Sequence, residues 1–503
     1  MKVGPIALSA IAFLSAIPPV RLSAQVIDTI LVDNRNVFDH GGDGPAFVAR
    51  LANALHIKTR ASVIRRSLLV RRGDPYDSAR VAESERALRA LNVFRFVRVD
   101  STRLSPDGRL ALRVVTADGW SSKPQANYST AGGDQTWEIA FVEQNLLGTA
   151  SELAASYGRT PDRRRFEVLY LNPHFLARRA GLALQYGDFS DGRKGAWQFG
   201  VPFYHTAARR ALETYGEAAH ESVRMFSDGA LDSIVQRRAL RLGVTGGVAA
   251  RATSRDYARL WFAAEWRREG FARDTTLPFP RSTFVTGRAG VEFGHVRFRV
   301  LERFNSYARR EDVDLSQVLR LGAVVESGVG FEAGGQVSTV WRGGFVVLRG
   351  AANVLDSTRV RGGLTVVSQN LPRQTVLAHV EGGAVHRPKP GAEFDPWLEQ
   401  RAPRLFGAHA FTGNRMAWLV FEDRVLLADD LWGLVGVGLA PFVDYGGAWY
   451  SPKEAARLGG DAGVSVRLGP TRSVQGDVAE FAVGYRFGVG RGWAIALRRG
   501  VMF

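Results

Sequence analysis

The chain has no cysteine among its 503 residues. Disulfides, thiolate metal sites and cysteine nucleophiles are therefore excluded. Lysine is scarce as well, occurring only at Lys2, Lys58, Lys123, Lys194, Lys389 and Lys453. Nine histidines are scattered singly from His40 to His409, without the clustered spacing that a histidine-built metal site requires. No G-x-S-x-G elbow or Walker A sequence occurs. Past the amino terminus, no stretch reaches 18 consecutive apolar residues, so no membrane-crossing helix is expected.

What is abundant is arginine and glycine. Arginine carries most of a formal net charge of +17, and glycine numbers 55. A chain this basic can meet nucleic acid, phosphate-bearing lipid or an acidic partner. A hydrophobic share of 46% indicates a folded protein rather than a disordered one.

The amino terminus reads as an address. Lys2 precedes the apolar stretch Ile6 to Ile17, then Pro18-Pro19 and the small residues Ser23 and Ala24. That order predicts a secretory signal peptide over residues 1–24, cut after Ala24. Export removes nucleic acid from the candidate partners, and the arginines are expected to line the lumen of a barrel and to meet lipid phosphates at its rims.

The remaining chain divides near residue 120. Over 25–120 the signals are mixed: a strand at Val26 to Val32, helices at Pro45 to Ile57, Ala61 to Val70 and Ser78 to Leu91, then strands at Phe94 to Val99 and Arg109 to Val115. Asp77 is placed to cap the third helix, and Ser105-Pro106-Asp107-Gly108 is a turn. This is a small α+β domain.

From 121 to 503 the helix signals vanish and short alternating segments recur. Trp137, Ile139 and Phe141 share a face opposite Glu138. Leu260, Phe262, Ala264 and Trp266 oppose Arg259 and Glu265, and Phe481, Val483, Tyr485 and Phe487 oppose Glu480 and Arg486. A soluble sandwich and a membrane barrel both alternate in this way. The barrel is favoured because the segments exceed a sandwich's seven to nine, because the second face carries charges of both signs, and because the chain ends on Phe503 inside an apolar strand. The expected class is thus mainly β, a transmembrane antiparallel barrel. About 380 residues at roughly 24 per strand and loop give about 16 strands, although the segments themselves count 16 to 20. Arg499 falls in the apolar phase of the last strand, and a bulge at Gly500 would turn it inward.

The motifs then resemble a known family. Gly73-Asp74-Pro75-Tyr76-Asp77 followed by Leu91-Asn92-Val93-Phe94 resembles a POTRA domain. Glu143-Gln144-Asn145-Leu146-Leu147-Gly148 and Phe442-Val443-Asp444-Tyr445-Gly446 resemble early and late barrel segments of the BamA/TamA family of outer-membrane proteins, in the bacterial surface antigen superfamily. The terminal aromatic strand ending in Phe503 is similar to that family's assembly signal.

The resemblance implies a 16-stranded outer-membrane barrel behind a periplasmic POTRA domain. It implies work on unfolded outer-membrane or secreted protein clients, with periplasmic accessory proteins as further partners and no cofactor. The client is either inserted through a lateral barrel seam or, as the alternative, passed through a two-partner-type secretion pore. The family's lumenal loop carries an arginine before a glycine; aligned on Gly407, this chain has Phe406 there, so Arg404 or Arg415 is left to reach Glu422 and Asp444. Read as an acid/base pair, those two carboxylates would suggest an enzyme, but inward carboxylates paired with arginines are the commoner arrangement in a wet barrel, and no catalysis is expected. A weak seam is expected where Gly490, Gly492 and Gly500 interrupt the closing strand, unless they simply shape a hairpin.

Overall fold

The computed structural model describes residues 25–38, 47, 50, 53–54, 56–104, 109–176, 179–273, 279, 281–307, 310–399, 403–452, 455–471 and 478–499. The signal-peptide segment 1–24, the turn at 105–108, most of the helix expected over Pro45 to Ile57, and Gly500 and Phe503 lie outside the described residues.

The N-terminal part is built from β1 (Ile27–Arg35), α1 (Ala61–Ser67), α2 (Ser78–Arg89), β2 (Phe94–Leu104) and β3 (Arg109–Asp118). β3 lies in the middle of the sheet, parallel to β1 and antiparallel to β2. Asp77 caps α2, its carboxylate accepting the Ala79 and Arg80 N–H groups at 2.9 and 3.3 Å, which satisfies two of the donors that a helix start leaves free. Ile64, Leu68, Val81, Leu88, Leu112 and Val114 close a dry core between helices and sheet.

Twenty strands follow in one closed ring. They are β4 (Ser122–Ala131), β5 (Asp134–Glu143), β6 (Glu152–Arg159), β7 (Arg164–Phe175), β8 (Ala180–Phe189), β9 (Gly192–Val201) and β10 (Arg210–Ser227). Next come β11 (Ala230–Ala252), β12 (Asp256–Ala272) and β13 (Ser282–His295), and then a separate hairpin of β14 (Phe298–Glu302) and β15 (Arg310–Asp314). The ring resumes with β16 (Gln317–Val325), β17 (Val329–Trp341), β18 (Gly344–Val354), β19 (Thr358–Ser368) and β20 (Gln374–His386). It ends with β21 (Arg415–Leu431), β22 (Val435–Trp449), β23 (Gly459–Pro470), β24 (Ala479–Gly488) and β25 (Gly492–Arg499). Every pairing in it is antiparallel, and β25 meets β4 to close it.

The count of 20 corrects the expected 16. The division by 24 allowed too much for turns. Residues 132–133, 190–191 and 228–229 each join two strands with only two residues, and one long loop, 387–414, takes up much of the remainder. A ring of twenty is also wider, since barrel diameter grows with strand number.

The two faces settle the choice between barrel and sandwich. Ile139, Phe141, Leu184, Leu260, Phe262, Phe481 and Ile495 stand exposed on the outside. The inner wall is charged. Arg237 donates to Glu217, Glu221 and Glu269, each at 2.9 Å, while Arg267 reaches Glu265 and Glu326 and Arg320 reaches Glu292. A sandwich's dry interior would hold the opposite set. These three inner arginines are matched by carboxylates.

Candidate functional site: the loop behind the seam

Among the described residues, the hydrogen-bonded ring is thinnest where it closes. β24 and β25 pair over eight residues, but among the described residues β25 and β4 share a single register pair, Leu497 with Thr130. Two expected seam glycines prove to shape the hairpin before β25. Gly490 lies in its turn with φ +76°, and Gly492 opens β25 opposite Arg486 with φ +133°. Both are backbone conformations that favour glycine.

Behind the seam runs the loop 387–414, between β20 and β21. The Arg404 guanidinium donates to Asp444 on β22 from Nε at 2.6 Å and Nη2 at 3.0 Å, and its Nη1 lies 3.6 Å from Glu422 and 3.8 Å from Glu480. The Phe442 ring covers its other face at 4.0 Å. Arg424 and Arg467 balance Glu422 and Glu480, and Arg498 of the last strand also reaches Glu480. Every one of these charges except Arg498 is buried. Three acidic strands, β21, β22 and β24, thus converge on one arginine of the loop. The burial pushes the Arg404 pKa down, but the surrounding carboxylates outweigh it and hold the group above its ordinary value.

The next residues cross from one side of the seam to the other. Leu405 donates its N–H to Asp461 at 2.8 Å and packs with Phe442, Ala482 and Ala496, with Ala494 and Ala131 against the same cluster. It is completely buried, in a cluster that draws on both the last strands and β4. Phe406 packs on Phe411 beneath the Arg486 guanidinium. Gly407 then sits against the β4–β5 turn so closely that a Cβ on Gly132 would lie 2.1 Å from its nitrogen. Ala408 donates to Asp134 at 2.6 Å.

Of the residues singled out in the sequence, the structure brings Arg404, Gly407, Glu422 and Asp444 into one assembly. Arg415 starts β21 and forms no ion pair with either carboxylate among the described residues. Arg404, two residues ahead of Phe406, makes the contact with Asp444, and Phe406 takes an aromatic packing role. Glu480, Asp461, Asp134, Gly132 and Leu405 belong to the same assembly and were not singled out. Glu480 alone had a visible signal, as an acid in the inward phase of an otherwise apolar strand.

A second set of contacts closes the far end of the barrel, opposite the N-terminal domain. β10 and β11 run 18 and 23 residues, whereas a tilted membrane strand needs only about 9–11. Their excess carries the tip, Asp228-Gly229, to the wall half-way round the ring. There Asp228 pairs with Arg457, and the Phe226 carbonyl accepts from Tyr450 and Thr412. The Phe226 ring stacks on His409 at 3.6 Å. His409 in turn binds Asp395 at 2.5 Å and Asp162, in the β6–β7 turn, at 3.0 Å. Loop, hairpin tip and wall meet at one imidazole.

At the near end, the N-terminal domain spans the mouth. Arg89 of α2 binds Asp312 of the β14–β15 hairpin at 2.6 and 2.8 Å. Glu83 accepts the Thr206 N–H, Asn145 binds Thr59, and Leu434 packs in the cluster of Val37 and Phe38.

No protein-family model and no curated protein matches the chain. Among solved structures it is similar to BamA from Haemophilus ducreyi lacking POTRA domains 1–3, at 9% identity and TM-score 0.41, over 94% of this chain and 84% of that one. It is similar to CdiB from Escherichia coli at 12% identity and TM-score 0.47, over 95% and 77%. The siderophore receptor PirA from Pseudomonas aeruginosa matches at 11% identity and TM-score 0.36, over 81% and 87%.

Proposed function

We propose that the chain is an outer-membrane protein that assembles unfolded protein clients, with the β4–β25 seam as the point of entry into lipid. The observation that carries this reading is that, among the described residues, a single register pair closes an otherwise continuous ladder. In hydrocarbon every backbone group needs a partner, so a ring with one thin junction opens there first. An opened junction offers two strand edges, and a client strand adds to such an edge by main-chain hydrogen bonds. In this reading the exposed apolar face meets acyl chains, and the N-terminal domain is a POTRA-like module in the periplasm. Glu422 and Asp444 hold the loop and catalyse nothing.

A second reading is supported by the width of the ring and its ion-paired inner wall. A partner polypeptide would then cross the lumen once the β10–β11 tip lifts, with the seam shut throughout. One experiment separates the two. Because the chain has no cysteine, Thr130→Cys with Leu497→Cys locks the seam alone, and Asp228→Cys with Arg457→Cys locks the tip alone. Client assembly into the outer membrane, followed by quantitative proteomics of depleted cells, is expected to stop with the first lock and recover on reduction. Unimpaired assembly with the seam locked would overturn the seam reading, and arrest by the tip lock alone would establish the lumenal one.

A further inference from the structure

Near the rim turns β5–β6 and β7–β8, a few strands round the ring from the seam, the N-terminal domain leaves a cluster of cations with no acidic partner among the described residues. Lys58, Arg60, Arg65 and Arg66 are all exposed, and among the described residues none of the four meets a carboxylate. Elsewhere in this domain Arg72 and Arg109 pair with Asp28, Arg98 with Asp100 and Arg113 with Asp33, while Arg71 and Arg103 are exposed singly, away from α1 in the chain. What sets Lys58, Arg60, Arg65 and Arg66 apart is that all four lie together on α1 and the segment leading into it.

α1 is fixed to the barrel rim at three points. The Arg60 N–H donates to the Gly148 carbonyl at 2.9 Å, Ser67 lies 3.4 Å from His174 at the foot of β7, and Arg179 donates to the Leu68 carbonyl at 2.7 Å. Gly148 and Arg179 belong to the β5–β6 and β7–β8 turns. The same turns present bare apolar side chains, Leu147 at 60% exposure and Leu176 at 72%, and Ile57 beside them is 54% exposed. Both leucines sit at positive φ. They continue downward the outer apolar face of Ile139, Phe141, Leu153 and Leu184 on these strands. Exposed Tyr204 stands under the Arg179 guanidinium at 4.6 Å.

Apolar side chains, then an aromatic, then a row of cations is the order in which a surface meets acyl chain, interface and head group. An acidic peptide or a nucleic acid would match the cations but would leave Leu147, Leu176 and Ile57 in water. We propose that Lys58, Arg60, Arg65 and Arg66 form a docking surface for the head groups of anionic phospholipids in the leaflet at the near rim. The proposal rests on the reading of the barrel as membrane-spanning. It gives the N-terminal domain a fixed height and orientation against the bilayer.

The test uses the full chain in nanodiscs of phosphatidylcholine and phosphatidylglycerol in equal parts, with native mass spectrometry counting the lipids each protein retains. The wild type is expected to retain phosphatidylglycerol over phosphatidylcholine by roughly twofold or more. The variant Lys58→Gln/Arg60→Gln/Arg65→Gln/Arg66→Gln is expected to fall to the composition of the disc. Its charge-matched control, Arg71→Gln/Arg72→Gln/Arg98→Gln/Arg103→Gln, is expected to keep the enrichment. No enrichment in the wild type, or equal loss in both variants, would overturn the proposal. A fluorophore on Leu184→Cys, challenged with acyl-chain nitroxide lipid, reads the membrane assignment separately. Quenching there without enrichment defeats the head-group site alone; absence of quenching defeats the barrel's placement in lipid.

Discussion

Arg404 and Asp444 meet through two parallel hydrogen bonds, at 2.6 and 3.0 Å, in a place closed to solvent. Such a pair holds geometry more than it adds stability, because both ions gave up water to reach it. Its removal is another matter. Arg404→Ala strands Asp444, with Glu422 and Glu480 near it, and is expected to cost about 3–5 kcal/mol of loop anchoring. Arg404→Lys keeps the charge but loses the bidentate fork, so it should restore only part. Limited proteolysis of the 387–414 loop checks this: cleavage should rise strongly in Arg404→Ala and moderately in Arg404→Lys. Unchanged protection in the alanine variant would show that the loop is held by other contacts.

Leu405 is expected to set how readily the seam parts. Leu405→Ala removes buried methyl groups from a cluster shared by Ala131, Ala482 and Ala496, at a typical cost of about 2–5 kcal/mol for a large-to-small change. Gly132→Ala acts from the opposite side, because its Cβ would collide with the Gly407 backbone and φ there is +61°. Both substitutions should speed amide hydrogen exchange in β25 while leaving β10–β13 unaffected. Faster exchange throughout the ring would instead mean general destabilisation.

Much of this architecture is legible in the sequence, and the reasons for the rest are physical. The inward and outward phases of β5, β12 and β24 follow from alternation alone, and Asp77 announces its helix by residue type. Strand number does not follow, because a two-residue turn such as Asp228-Gly229 leaves almost no spacing between strands to count. Loop docking was half visible. Asp444 and Glu422 stand in inward phases, but nothing in the order Arg404-Leu405-Phe406-Gly407 tells which side chain turns toward them. A loop without periodicity gives its residues no predictable face. The link from His409 to Asp162 joins positions 247 residues apart, and the contact of Asp228 with Arg457 spans 229. Contacts of that kind are set by the ring's closure, and no local pattern encodes them.

The β10–β11 tip is expected to gate ion flow. Asp228 is 61% exposed, so its pair with Arg457 contributes about 0–1 kcal/mol, as surface pairs do. Asp228→Ala should therefore open the tip only part of the time. Deleting 224–233 and rejoining β10 to β11 by a two-residue turn should open it permanently. Planar-bilayer recordings should show brief openings in the first case and a steady, larger conductance in the second. A deletion that left conductance at the wild-type level would place the barrier elsewhere, at the N-terminal domain or the 387–414 loop.

The same gate should respond to pH through His409. Burial alone would lower its pKa, but the hydrogen bonds and charges of Asp162 and Asp395 outweigh it and hold the imidazole up at about 9. Asp162 is held below its ordinary value, its burial being outweighed by His409 and by Arg224 and Arg163 nearby. A group whose pKa is raised by folding gives its stabilisation in full below its unfolded value, near 6.5, and loses it as pH climbs through the folded one. For Asp162 the sense is reversed: its contribution is present above the ordinary carboxylate range and lost as pH falls through the lowered value. Tip closure should accordingly hold at mildly acid pH, weaken progressively above about pH 6.5, and fail as pH passes about 9. His409→Phe keeps a ring against Phe226 but has no proton to lose. Its conductance should be raised at pH 6 and flat to pH 10, whereas a wild-type profile shared by that variant would remove His409 from the gate.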